Sequence, residues 1–402
     1  MSPMLRACAS AFVALAALAA GAQAQRREAP EAFRPGITVL LDDQVSLVRG
    51  RRIGLITAAG AEDERGRRVE ALLRDDRRAR GARVTVGGVW RLEDWLPGGA
   101  WDVGRGTGAD SARLAAMIAG VDSVAHLSQV LVVDVPDPGM RTAAAPHVLL
   151  AALRAATRAR VPVVVLDRPN PLGGDRVEGP TPAPDGGTPD AVYGLPARHG
   201  MTAGELAAWF NERAAIGAAL EVVPVRGWRR AGDVARDRDG VAGVTGESAA
   251  RDQLALLAAF APVSATALHV MLGPGRSEIR VAAPWLDARA VADAVADRLI
   301  PGTRIRAAST EVDGHATPAV VIERRDRDAP PALRTMLAVL AEVRRRAPTQ
   351  LAIRAQEFDR LAAGAGIREA IERGDDSDAA ADRTLGPALD FRTATQRFRR
   401  YR

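Results

Sequence analysis

The 402-residue chain has no lysine, one cysteine, two tyrosines and seven phenylalanines. Each shortage closes off a class of function. The only thiol, Cys8, lies in an N-terminal segment that reads as removable, so neither a disulfide framework nor a cysteine nucleophile is expected. Five scattered histidines with no His-x-x-x-His spacing argue against a zinc enzyme, and no metal site is expected. Gly-Lys-Ser/Thr and Gly-x-Ser-x-Gly are both missing, and Gly104-Arg105-Gly106-Thr107-Gly108 has no apolar strand before it. A phosphate-binding loop, a nucleophile elbow and a bound cofactor are therefore not expected. The formal net charge of +6 rests entirely on arginine. Those arginines alternate with acids, as in Arg236-Asp237-Arg238-Asp239, which is the pattern of a solvated face. With few rings to stack bases, a nucleic-acid partner is not expected either.

Export is the first positive reading. Arg6 is the only charge before an apolar run, Ala11 to Ala20, and Ala22-Gln23-Ala24 has the small-x-small form of a cleavage site. Residues 1–24 thus read as a signal peptide. The run is too short for a stable anchor, and the expected location is periplasmic or secreted. Roughly 378 residues would remain after cleavage, enough for two domains. Val/Ile-rich runs alternate with Ala-rich amphipathic stretches through the first two thirds: Ile53 to Thr57, Val84 to Val86, Val130 to Asp134, Val161 to Asp167 and Leu220 to Val225. Such alternation predicts βαβ units. The fold class expected is α/β, with a Rossmann-like, mostly parallel sheet over 25–262 and a smaller α+β domain over 263–402. In the second domain, strands are expected at Ala267 to Leu272 and Ala319 to Glu323, with helices at Pro331 to Arg346 and Gln356 to Arg373. Gly227 to Gly246 reads as a loop and Asp375 to Asp382 as an acidic, mobile linker.

Three of the strand candidates end in a polar residue, Thr57, Asp134 and Asp167, which would place those side chains at one edge of the sheet. After the fourth run comes a dense polar loop, Leu166-Asp167-Arg168-Pro169-Asn170-Pro171-Leu172-Gly173-Gly174, and then Val177-Glu178-Gly179-Pro180. A second group follows, Arg198-His199-Gly200-Met201-Thr202-Ala203-Gly204-Glu205-Leu206, in which Thr202 and Glu205 have capping-box spacing.

These two blocks, with Gly227-Trp228-Arg229, closely resemble the NamZ-type exo-β-N-acetylmuramidases, and the chain is identified as a divergent member of that family. The resemblance covers the middle of the chain well and its ends loosely. It implies removal of terminal N-acetylmuramic acid from peptidoglycan fragments, with muramyl sugars as partners, and it places Glu178 in the Glu-Gly-Pro motif where one catalytic glutamate is expected. A glycosidase needs a proton donor and usually a second carboxylate. Here the family's Pro-Glu-His-Gly is missing, and the run from Arg83 to Val86 leads into Gly87-Gly88-Val89-Trp90-Arg91-Leu92-Glu93. Glu93 or Asp94 would have to supply that acid, or else both lie on the surface. The alternative reading is a catalytically degenerate member that binds cell-wall glycan without turnover.

Other candidates carry two readings each. Glu178 is the acid, or a loop residue paired with Arg176. Asp134 accepts sugar hydroxyls or caps the following helix, within Asp134-Val135-Pro136-Asp137-Pro138-Gly139-Met140-Arg141, a worn form of a family motif that keeps Asp134, Asp137, Gly139 and Arg141; Asp134 and Asp137 are further candidates for the second carboxylate. Arg168, Arg198 and Arg276 would read the lactyl carboxylate of muramic acid through a guanidinium fork, unless Arg168 pairs with Asp167 or Asp175. His199 binds glycan or is structural. Arg141, Asp167 and Asn170 are counted with the substrate-binding set.

Overall fold

A computed structural model describes residues 31–95, 108–174, 176–183, 193–230, 241–245, 247–249, 251–326 and 332–401. The expected signal peptide and the Arg236-Asp237-Arg238-Asp239 run lie outside the described residues.

Five strands, β1 (Arg52–Thr57), β2 (Thr85–Arg91), β3 (Val130–Asp134), β4 (Val163–Leu166) and β5 (Leu220–Val223), form a parallel sheet in the order β2-β1-β3-β4-β5. β3 and β4 are buried along their whole length, which is why they read as unbroken Val/Leu runs. Alternate residues serve opposite layers. Val133 and Val165 pack with helices Gly108–His126, Ala144–Ala159 and Ala203–Arg213, while Val132 and Val164 pack against Gly36–Asp42 and Val69–Asp75. The strand order reverses at β1, between β2 and β3, and Thr57 stands in register with Asp134 at the carboxyl ends of β1 and β3. Ligands bind outside this edge in open α/β sheets.

A hairpin pairs β6 (Val241–Thr245), inside the stretch read as a loop, with β7 (Glu247–Ala249), just beyond it. It leads to an antiparallel sheet, β10-β11-β9-β8, made of β8 (His269–Leu272), β9 (Glu278–Ala282), β10 (Thr303–Val312) and β11 (His315–Arg324). Ile279, Val281, Val320 and Ile322 bury against Val291 and Val295 of helix Ala288–Ala296 and Met336 and Leu340 of helix Ala332–Arg346. Neither β9 nor β10 was expected, because their outward faces carry Arg280, Arg304 and Arg306, which dilute the strand signal. The expected linker is instead a helix, Ser377–Asp382, capped by Asp376 and burying Ala380 and Ala381. Its Asp-Ala composition misled because three of the acids sit at the helix ends. The helix expected over Gln356 to Arg373 breaks into Ala355–Leu361 and Gly366–Arg373, with left-handed backbone at Ala363 (φ 62°) and Gly364 (φ 136°) between them.

The two sheets interlock. Met140 and Leu172, from loops at the carboxyl edge of the first, insert into the core of the second, while Phe391 of helix Leu385–Ala394 returns to pack on Trp209 in the core of the first.

Candidate functional site

Glu178 is placed by backbone pairing. Its N–H donates to the Arg198 carbonyl at 3.0 Å and its carbonyl accepts from the Arg198 N–H at 2.9 Å. On the other side of the same segment, the Arg141 N–H donates to the Ala197 carbonyl at 3.0 Å. The loops after β3 and β4 and the segment entering helix Ala203–Arg213 thus form a short three-stranded ladder at the sheet's carboxyl edge. Gly179 makes the turn possible: its φ is 83°, and a Cβ there would lie 2.8 Å from that of Ala197. The Glu178 Oε1 lies 3.4 Å from Arg198 Nη1 and 3.6 Å from Arg176 Nη1, with its side chain 14% exposed. Pairing with Arg176 is present, but a buried second guanidinium joins it.

The floor under this ladder is charged and largely buried. Arg168 grips Asp134 through Nε and Nη2, the latter at 2.9 Å, and Asp134 is fully buried. Two of the readings that the sequence left open are not met. Arg168 pairs with Asp134 rather than with Asp167, and Asp134 caps no helix, since Ala143 precedes the next one without a side-chain cap. Asp167 is also fully buried, and accepts four hydrogen bonds. Oδ1 takes the N–H groups of Arg168 (2.9 Å) and Gly204 (2.8 Å), and Oδ2 takes the hydroxyls of Thr202 (2.9 Å) and Tyr401 (2.6 Å). Burial pushes its carboxyl up, and neighbouring Glu205 adds to the rise. The bonds from Tyr401, Gly204 and Thr202 oppose it, and the outcome is about 6. The same desolvation, with Asp167 alongside, raises the Tyr401 hydroxyl far above its ordinary range.

His199 is buried with Nδ1 accepting from the Met201 N–H at 3.2 Å. In the neutral ring the proton then sits on Nε2, which faces Asp137 Oδ2 at 3.4 Å. Asn170 donates to the Met201 carbonyl and accepts from the Leu172 N–H, both at 2.8 Å. Thr202 and Glu205 form the full capping box.

Arg141 and Arg198, both counted as substrate-binding from the sequence, are buried. Arg198 is buried and donates from Nη2 to the Leu172 carbonyl. Arg141 reaches into the other domain, where it donates to the carbonyls of Arg360 (3.2 Å) and Leu361 (2.5 Å), closing the end of helix Ala355–Leu361. Arg276 is exposed in the turn between β8 and β9. Glu93 follows β2 at the carboxyl edge of the sheet. Its Oε2 accepts from the Ala59 N–H at 3.0 Å and its Oε1 from Arg68 at 2.9 Å. Asp94 is exposed beyond it. Asp137, a candidate second carboxylate, faces His199 Nε2 at 3.4 Å instead, and its Oδ1 accepts from the Gly139 N–H at 2.8 Å in a local turn. Arg230 and Tyr401 were not singled out as site residues, and no local spacing signals them. Among the described residues, no group of His, Cys, Asp or Glu has the arrangement of a metal site, and no helix is long and apolar enough to cross a membrane.

The architecture is that of an open parallel α/β protein with a carboxylate-bearing edge, closed by an antiparallel α+β domain. Two solved structures share it. Both are DUF1343 family proteins from Bacteroides fragilis NCTC 9343, one with a TM-score of 0.74 at 21% identity and one with 0.62 at 14%. Each comparison covers 92% of this chain and 99% of the other. Residues 109–238 match the family model "Exo-beta-N-acetylmuramidase NamZ, N-terminal", and residues 279–401 match its C-terminal counterpart. The chain belongs to the NamZ family. It is 29% identical over 251 residues to the peptidoglycan beta-N-acetylmuramidase NamZ of Bacillus subtilis (strain 168), a match spanning 61% of each chain.

Proposed function

We propose that the protein is an exported glycoside hydrolase that removes terminal N-acetylmuramic acid from peptidoglycan fragments. The observation that carries the reading is the mounting of Glu178. In a chain of this family, the glutamate of the Glu-Gly-Pro motif has both backbone groups paired with Arg198 while its carboxylate keeps a solvent-facing edge. Glu178 is assigned as the acid that protonates the leaving oxygen. Glu93 is assigned as the second carboxylate, because it follows β2 at the same sheet edge. Release of N-acetylmuramic acid from a chromogenic β-muramide tests this. Glu178→Gln is expected to lower kcat by about 10²–10⁴-fold, as loss of a general acid does. Turnover undiminished by that substitution removes Glu178 from the chemistry.

A second reading, glycan binding without turnover, is favoured by one observation. Glu93 has both carboxylate oxygens engaged, by Ala59 and Arg68, and the Pro-Glu-His-Gly motif is missing. Under that reading the native protein binds muramyl fragments in calorimetry and releases no sugar. Retention of the leader on protein recovered from the outside of the cytoplasmic membrane, or its loss there, tests the export reading.

A further inference from the structure

The segment after helix Leu385–Ala394 lies apart in sequence from every residue of the proposed site. Yet it makes a dense set of hydrogen bonds to the loops that carry Glu178 and Arg198. Arg399 Nη1 donates to the Gly174 carbonyl at 2.6 Å, four residues before Glu178. The Arg400 N–H donates to Glu205 Oε1 at 2.7 Å. The Tyr401 hydroxyl donates to Asp167 at 2.6 Å and accepts from the Val225 N–H at 3.0 Å, and its ring meets Trp228 edge-on at 5.0 Å. Arg230 completes the connection. Its Nη1 donates to the carbonyls of Gly174 (3.0 Å) and Gly200 (2.7 Å), its Nη2 pairs with Glu205, and its Nε donates to the Tyr401 carbonyl at 3.3 Å.

The two carbonyls so held bracket the ladder. Gly174 precedes Glu178, and Gly200 follows Arg198, its backbone-paired partner. Gly174 also has no room for a side chain, since a Cβ would fall 2.1 Å from Arg230 Nη1. We propose that residues 399–401 form a positioning clamp for the catalytic loop, with Arg399 and Tyr401 fixing Glu178 through Gly174 and Asp167. This inference rests on the glycosidase reading above. Neither residue is a catalytic residue, because each acts through the loop. Misplacing a reacting group by about 1 Å can cost on the order of 10²-fold in rate, so a clamp of this kind has consequences for turnover.

The test uses the full chain with Arg399→Met and Tyr401→Phe, and Arg397→Met as the control. Arg397 is an exposed residue of the same segment that pairs with Glu212, away from both loops. Amide hydrogen exchange and steady-state kinetics on a chromogenic β-muramide are measured together. In the first two variants, exchange over 172–178 and 197–205 is expected to accelerate about tenfold or more, with β9 and β11 unchanged. The kcat is expected to fall about tenfold while KM stays within about twofold. The control should match the native protein. Exchange that rises evenly across both sheets, or not at all in the two loops, overturns the clamp and leaves an ordinary structural contact. A fall in kcat without local exchange overturns it as well. Should the native protein prove to have no turnover, the exchange data still decide whether the clamp exists, so its failure and that of the glycosidase reading are separable. Deletion of 396–402 is a stronger variant, and if it does not fold, the two point substitutions decide.

Discussion

Arg198 and Glu178 exchange both backbone hydrogen bonds and then meet again through their side chains at 3.4 Å. The arginine is therefore part of the mount of the proposed acid before it is anything else. Arg198→Met removes the ion pair and the bond to the Leu172 carbonyl. A charged hydrogen bond contributes about 1.5–3 kcal/mol, and a loss of that size is expected in urea unfolding, with kcat falling alongside. Unaltered stability combined with a loss of muramyl-over-glucosaminyl preference would instead make Arg198 a reader of the lactyl carboxylate.

The Asp134–Arg168 fork is expected to be structural. Arg168→Met leaves a fully buried carboxylate without its cation, and removing one partner of a buried pair costs about 3–5 kcal/mol. Arg168→Lys should recover only part of this, because an ammonium cannot make two parallel bonds. Thermal unfolding of the two variants side by side is the measurement, and a lysine variant as stable as the native protein contradicts the fork.

Asp167 sets a pH dependence of stability. Its folded-state pKa of about 6 lies above the ordinary 3.8 because burial, helped by Glu205, outweighs its hydrogen bonds. Between those values the folded protein binds the extra proton, so this contribution is complete below about pH 4 and is lost as pH rises through about 6. A rise from 3.8 to about 6 corresponds to on the order of 3 kcal/mol. Asp76 acts in the opposite sense. The side-chain bond from Arg78 lowers it to about 2, so its contribution holds above 3.8 and fades as pH falls toward 2. Tm should therefore rise from about pH 7 to pH 5, and Asp167→Asn should flatten that limb.

Arg141→Met is expected to lower stability by about 1.5–3 kcal/mol, since two carbonyls at the end of helix Ala355–Leu361 lose their donor. It should not change which sugar is bound. Calorimetry with muramyl and glucosaminyl ligands checks this, and a selective loss of muramyl binding would return Arg141 to the substrate set.

The sequence made the parallel sheet readable because β3 and β4 are buried on both faces and so carry uninterrupted Val/Leu runs. The capping box was readable because Thr202 and Glu205 meet within one turn. Arg141 was not, since its acceptors lie 219 and 220 residues away and no local spacing encodes them. The same holds for Asp167, whose polar position at a strand end suggested a ligand-facing group. It is buried among distant partners, one of which, Tyr401, comes 234 residues later. β10 escaped notice because Arg304 and Arg306 alternate with only Ile305 and Ala307, which leaves a weak period-2 apolar signal.

The distance along the chain between Asp167 and Tyr401 also dictates an order of assembly. The sheet edge is complete by residue 223, but the last donor to its buried acid arrives only with residue 401. Closing a loop of that length is slow compared with forming βαβ units, so the acid stays hydrated while the rest of the sheet packs. The site is therefore expected to mature at the end of folding, and a variant that keeps Trp228, which touches Tyr401, as its single tryptophan would report the moment. Its fluorescence should lag behind the far-ultraviolet signal during refolding.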